Sequence, residues 1–176
     1  VQNVHGLFHD GVIEDENLMG EYTMNYKKTH SQTLLPMLDQ MAKMIELDLN
    51  SIDAIAVAGG PGSFTGLRIG SATAKGLGLA LDKPLLHIPT VDALAYNLYG
   101  VETLICPIMD ARRNQVYTGV YRFEGDKFCT VKEQEPMAIE ALAELLNDRD
   151  EAVVFLGDGV PVYREALKEL LKVPYR

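Results

Sequence analysis

Three shortages narrow what this chain can be. It has only two cysteines in 176 residues, Cys106 and Cys129, and both stand in apolar, strand-like surroundings. Thiols so placed fit buried groups in a reducing cytoplasm better than a secreted disulfide framework. Long apolar runs are also lacking. No window approaches the ~18 apolar residues of a membrane helix, and no basic-then-apolar signal opens the sequence. Cations are scarce: 16 Lys and Arg stand against 25 Asp and Glu, a net charge of −9. The deficit is shared, −5 over residues 1–100 and −4 over residues 101–176. A protein that grips RNA alone needs a Lys/Arg surface to displace counterions from phosphates. Outside Lys27-Lys28 and Arg112-Arg113 there is no basic cluster. Direct RNA binding is therefore not the expected main activity.

What is present is an ordinary globular composition, 47% apolar and 23% charged. The opening has weak strand character as far as Asp15, ending in an acidic run. Thr29-His30-Ser31-Gln32 has capping-box spacing. Behind it Leu34, Leu38, Met41 and Ile45 recur at steps of four, three and four, one face of a helix. Pro36 is expected near its first turn, where a missing N–H costs least. Met37, Met41 and Met44 form a second apolar row. Two apolar faces on one helix point to cover from two sides, one of them a partner.

Asp53–Ala58 reads as a short buried strand. It runs into Gly59-Gly60-Pro61-Gly62-Ser63-Phe64-Thr65-Gly66, and a helix from about Leu67 to Leu81 follows. Within that helix Gly66, Gly70, Ala74 and Gly78 repeat every fourth residue. Three helical glycines cost roughly 1 kcal/mol each relative to alanine, so the stripe implies close approach of another backbone. Leu85–Ile88 is a further strand, with His87 assigned to a buried position. A helix over Val91–Tyr99 is capped by Thr90 and ended by Gly100, the expected lobe boundary. Beyond it Thr103–Met109, Val116–Phe123 and Phe128–Lys132 are expected strands, the last two joined by a hairpin turn. Pro136 is expected to open a helix to about Asn147. Val153–Leu156 is a strand, Gly157-Asp158-Gly159 a turn whose glycines can both supply a positive φ, and Val162–Lys172 a closing helix. Alternating strands and helices, with a hairpin in the second half, define an α/β protein with a mixed sheet.

Two loops are able to carry chemistry. Backbone N–H groups of the Gly59–Gly66 loop and the following helix dipole suit a phosphate, with Gly59, Gly60, Gly62, Ser63, Thr65 and Gly66 as candidates. The Lys-Ser/Thr of a Walker loop is replaced by Leu67-Arg68, and tight turning with close packing explains the glycines as well. Ser63 and Thr65 have no His or Lys base nearby in sequence, which weakens a nucleophile reading. Asp110, at a strand end before Arg112, suits a metal-bound water near phosphate, or else pairs with Arg112 or caps the turn. His5 and His9 have the spacing of a helical zinc pair, but Gly6 weakens that helix and no metalloprotease Glu accompanies them. No metal site is expected.

Taken in order, four segments resemble one family. They are Lys28 to Pro36 (with His30), Ala56 to Gly70 (with Arg68), Asp110 to Tyr117 (with Arg112) and Gly157-Asp158-Gly159. This set, over about Glu14 to Lys172, is similar to the bacterial TsaB family, also called YeaZ. The resemblance implies an actin-like, ribonuclease-H-related fold in two lobes, residues 1–100 and 101–176. It implies a cytoplasmic, non-catalytic subunit that binds the paralogous catalytic protein TsaD and works with the ATPase TsaE. Together these install threonylcarbamoyladenosine on tRNAs reading A-starting codons, so tRNA is met only indirectly. No cofactor is expected on the chain alone, ATP or ADP only in the complex, and a homodimer when the chain is alone.

The family's dimer surface corresponds to the helices at Thr29–Leu47 and Leu67–Leu81, which assigns Leu34, Met37, Leu38, Met41, Met44, Gly66, Gly70, Ala74 and Gly78 to partner binding. That assignment requires the small-residue stripe to face outward. Two departures from the family pattern stand out. Val1–Gly11 lacks the opening strand and Asp-Thr/Ser phosphate loop, and the chain stops before an expected last helical segment. The ends are therefore expected to be altered or incomplete. Alternatives are an actin-like phosphotransferase or ATPase using the glycine loop and Asp110, and a metallopeptidase using His5 and His9.

Overall fold

The computed structural model describes residues 7–25 and 30–176, with side chains described at 10–23 and 33–176. These form two units, residues 1–90 and residues 91–176. His5, Lys27, Lys28 and the Thr29 cap lie outside the described residues, as do the side chains of His9 and His30.

In the first unit β1 (Leu7–Glu14) and β2 (Asn17–Asn25) form an antiparallel hairpin. The acidic run is its turn, where Asp15 adopts a φ of 52°. The backbone of His9 lies on β1. Helix α1 (His30–Met44) follows. A Cβ on Gly20 would stand 3.2 Å from the Met41 side chain, so this helix lies directly on the hairpin. Pro36 sits in the second helical turn rather than the first, on the exposed side.

A parallel pair, β3 (Ile55–Gly60) and β4 (Leu85–Pro89), is joined through α2 (Phe64–Leu81). Parallel strands need such a crossover, and the helix then covers one side of the pair. Parallel sheets are normally buried on both faces. Here β4 is exposed from Leu85 to Ile88 and β3 is mostly half-buried. The expected buried position of His87 is thus corrected: with only two strands and α2 as cover, its imidazole stays in contact with solvent.

The second unit holds a four-stranded mixed sheet in the order β7-β6-β5-β8, from β5 (Leu104–Asp110), β6 (Gln115–Glu124), β7 (Lys127–Ala138) and β8 (Val153–Leu156). Alternation along β5 sends Leu104, Cys106 and Ile108 into one cluster. It is shared with Ile139, Leu142 and Leu146 of α4 (Ile139–Arg149) and with Tyr163 and Leu167 of α5 (Gly159–Leu170). Ile105 and Met109 point the other way, to a cluster with Val91 and Ala95 of α3 (Thr90–Tyr96).

That second cluster moves the division between units. Val91 and Ala95 are fully buried among the second unit's residues, so the boundary falls at Thr90/Val91 and not at Gly100. Pro136 does not open a helix either. It lies opposite Tyr117 on β7, an edge strand, where a residue without an N–H is tolerated, and α4 starts three residues later. Among the described residues no helix is long and apolar enough to cross a membrane.

Candidate functional site

Helix α2 begins where the glycine loop ends. Ser63 is its N-cap, with Oγ accepting a hydrogen bond from the Gly66 N–H at 3.3 Å and its carbonyl accepting from Leu67 N–H at 2.8 Å. The Ser63 hydroxyl is therefore used as a cap. Gly59 and Gly60 close strand β3, and Gly60 has a φ of +107°, which a side chain would strain. Gly59 is needed for a different reason. A Cβ there would fall 1.7 Å from Nε2 of His87, so the imidazole lies against its backbone. His87 is distant in sequence and reaches the loop only through the β3–β4 pairing. Thr65 and Gly62 are exposed beside it.

The stripe of small residues faces inward. Gly66, Gly70, Ala74 and Gly78 are the buried residues of α2. A Cβ on Gly78 would stand 2.9 Å from Leu85 Cδ2 and 3.1 Å from the Lys83 carbonyl oxygen. At Gly78 the neighbours are the chain's own turn backbone and the Leu85 side chain. Their assignment to partner binding is corrected on this ground. The same holds for Leu34, Met37 and Met41, which are 3%, 5% and 3% exposed and form the inner side of α1. Leu38 is half-buried, and only Met44, at 71% exposure, stands clearly outside.

The outer side of α2 escaped the sequence reading. Phe64 and Leu79 are 74% and 87% exposed, and Arg68, Ala72, Lys75 and Gly76 are exposed between them. Arg68 places its guanidinium 5.5 Å from the Phe64 ring centroid. The spacing Phe64, Arg68, Ala72, Lys75, Leu79 was visible in the sequence, but two cations in the row disguised it as a solvated face.

In the second unit the parallel strands β5 and β8 bring Asp110 and Asp158 together at their carboxyl ends. Asp110 Oδ1 accepts from Arg112 N–H at 2.9 Å and from the Tyr163 hydroxyl at 3.1 Å. Its Oδ2 is 3.8 Å from Arg112 Nε. The turn-capping and Arg112-pairing alternatives thus describe Asp110. Asp158 Oδ1 accepts from Asp110 N–H at 3.3 Å. Burial, then the hydrogen bond to Asp110, raises the Tyr163 phenol above its ordinary value.

Arg112, Arg113 and Asn114 follow one another at φ values of 68°, 53° and 58°, a left-handed coil. It is closed by Ala111 N–H to the Gln115 carbonyl at 2.9 Å. Gly157 has a φ of +105°, and a Cβ there would meet the Ile108 carbonyl oxygen at 2.3 Å. Gly159 has no positive φ; it opens α5, and its Cβ would stand 2.9 Å from the same oxygen. Close approach, and not turn geometry, is what demands a glycine at 159.

A mixed-sheet α/β chain with such strand-end loops has the make-up of an actin-like protein. The family model described as TsaD: tRNA N6-adenosine threonylcarbamoyltransferase matches residues 17–172. Within that class, the chain belongs to the TsaB (YeaZ) family. It is 32% identical over 160 residues to the tRNA threonylcarbamoyladenosine biosynthesis protein TsaB of Bacillus subtilis (strain 168), covering 91% of this chain and 70% of the relative. With the protein of the same name from Escherichia coli (strain K12) it shares 29% over 145 residues, or 81% of this chain and 63% of that one. YeaZ from Pseudomonas aeruginosa superposes with a TM-score of 0.76 at 25% identity, covering 97% of this chain and 76% of that structure.

Proposed function

We propose that this chain serves tRNA threonylcarbamoyladenosine biosynthesis as a non-catalytic, cytoplasmic scaffold subunit. It docks the paralogous transferase TsaD and works alongside the ATPase TsaE, the modification falling on tRNAs that read A-starting codons. The names of its TsaB relatives and the match to the TsaD family support the pathway. One observation carries the docking: α2 is closed on its inner side by its own strands while Phe64 and Leu79 remain 74% and 87% exposed on its outer side. An exposed apolar residue alone is unremarkable, but two large ones flanking Ala72 and Gly76 on one helix suit another helix packed close.

In this reading the scaffold contributes rigidity. Glycine contacts fix α2 to β3 and β4, so the partner meets a preformed surface and loses little freedom on binding. The Ser63 hydroxyl caps the helix, and Asp110 holds its own turn; both are structural. Any ATP or ADP is held in the complex.

The test is gel filtration and calorimetry of the chain with the TsaD encoded in the same genome. A stable complex is expected, weakened about thirtyfold by Leu79→Glu, on the order of 2 kcal/mol. The fold should be unaffected, because position 79 is exposed. With TsaD, TsaE, ATP and tRNA present, modification should need this chain, and the chain alone should give none. Unchanged affinity in the Leu79→Glu variant would reject the docking surface.

A further inference from the structure

We infer, and this rests on the tRNA pathway read above, that the left-handed coil Arg112–Asn114 is a contact for the phosphodiester backbone of tRNA. Glycine would adopt the φ values of 68°, 53° and 58° found there at little cost, and asparagine tolerates them, as at Asn114. Arginine suits them poorly, yet it stands at both 112 and 113. Backbone outliers of this kind persist where the surrounding structure over-determines them, and they gather at functional sites.

The coil is held from several elements. Arg112 N–H donates to Asp110 Oδ1 at 2.9 Å, Gln115 N–H to the Arg112 carbonyl at 3.0 Å, and Ile139 N–H to the Asn114 carbonyl at 3.2 Å. The Tyr163 hydroxyl lies 3.1 Å from both Asp110 Oδ1 and the Gln115 carbonyl oxygen, so it spans the two ends. Asp158 fixes Asp110 in turn, accepting from its N–H at 3.3 Å.

These ties grip the backbone and leave the guanidinium groups outside. The Arg112 side chain is 79% exposed and meets Asp110 only at 3.8 Å. Arg113 is exposed, and no ion pair holds it among the described residues. Arg122, by contrast, is engaged by Glu151 at 2.9 Å. Arg112 and Arg113 are also the one pair of neighbouring cations among the described residues. A guanidinium fork matches phosphate oxygens. In a chain of net charge −9 this contact does not gather RNA unaided. It positions RNA that a partner already holds, and it reads no bases.

An unmodified transcript of a tRNA reading an A-starting codon is titrated at about 50 to about 300 mM NaCl into the chain alone and into the chain with TsaD. Wild type, Arg113→Gln and Arg113→Lys are compared. With TsaD present, Arg113→Gln should bind roughly fivefold more weakly at low salt and lower the slope of log affinity against log salt by about one. Arg113→Lys should keep the slope, and thermal unfolding should not move in either variant. Unchanged tRNA affinity and slope in Arg113→Gln overturn the contact and leave docking to TsaD untouched. Where no complex with TsaD forms, the docking reading fails, and the chain alone at low salt decides the coil by the same comparison. An Arg113→Gln variant that loosens TsaD itself, and tRNA no further, assigns the coil to an acidic protein surface and overturns the RNA contact.

Discussion

The two units bury their sheets to different degrees. In the second, β5 lies between two apolar clusters, and six of its seven residues are buried. In the first, two separate two-stranded sheets share two helices, and Leu85, Leu86 and Ile88 of β4 are exposed. Isolated strand pairs are marginal in water unless something covers a face. The first unit buries the small-residue side of α2 and leaves Phe64 and Leu79 exposed on the outer side of that helix. The second unit is the better packed of the two.

The largest effect should come from breaking the better-packed unit. Gly157→Ala combines a positive φ with a Cβ 2.3 Å from the Ile108 carbonyl oxygen. Strain and overlap together should cost about 4 kcal/mol in urea denaturation, lowering the midpoint at unchanged slope. A milder change sharpens the contrast within α2 itself. Gly78→Val pushes on Leu85 and the Lys83 carbonyl and should cost about 2 kcal/mol of stability. Its neighbour Leu79→Glu should leave stability within about 0.5 kcal/mol while weakening the complex. Equal stability losses at the two positions would erase the distinction between inner and outer sides.

The smallest effect concerns alkaline pH. Burial pushes the Cys106 thiol up to about 12, opposed in part by its contact with the Thr118 hydroxyl at 3.4 Å. The unfolded thiol ionises near its ordinary value, about 8.5, and the folded one does not. The stabilisation is fully present below the unfolded value and is lost as pH rises toward and through about 12. Urea midpoints at about pH 8 and about pH 10.5 should converge more closely in Cys106→Ala than in the wild type. Tyr99, Tyr121 and Tyr163 are raised in the same direction and contribute to what remains.

Much of the fold was legible because its signals are local. Alternation and glycine punctuation located β5, β6, β8 and α2 to within a few residues. The helix expected to run to Tyr99 ends at Tyr96, and a turn separates it from Gly100, at φ +79°; the unit boundary precedes α3 because burial of Val91 and Ala95 depends on strands that come later in the chain. The direction of the glycine stripe was not legible for a related reason. Small residues every fourth position fit a foreign backbone and the chain's own Leu85 equally well, and sequence spacing carries no sign for inside or outside. His87 beside Gly59 is a product of strand register, which no linear motif encodes.

The left-handed coil at Arg112–Asn114 has a consequence for variation. A non-glycine residue in that conformation costs on the order of 1–2 kcal/mol, and here three stand in succession. The ties from Asp110 to the Arg112 N–H and from Tyr163 to the Gln115 carbonyl offset part of that cost. A β-branched residue at any of the three positions would add crowding that these ties cannot absorb. The segment is thus narrow in the alphabet it accepts, for reasons that lie in the peptide backbone before any partner or substrate is considered.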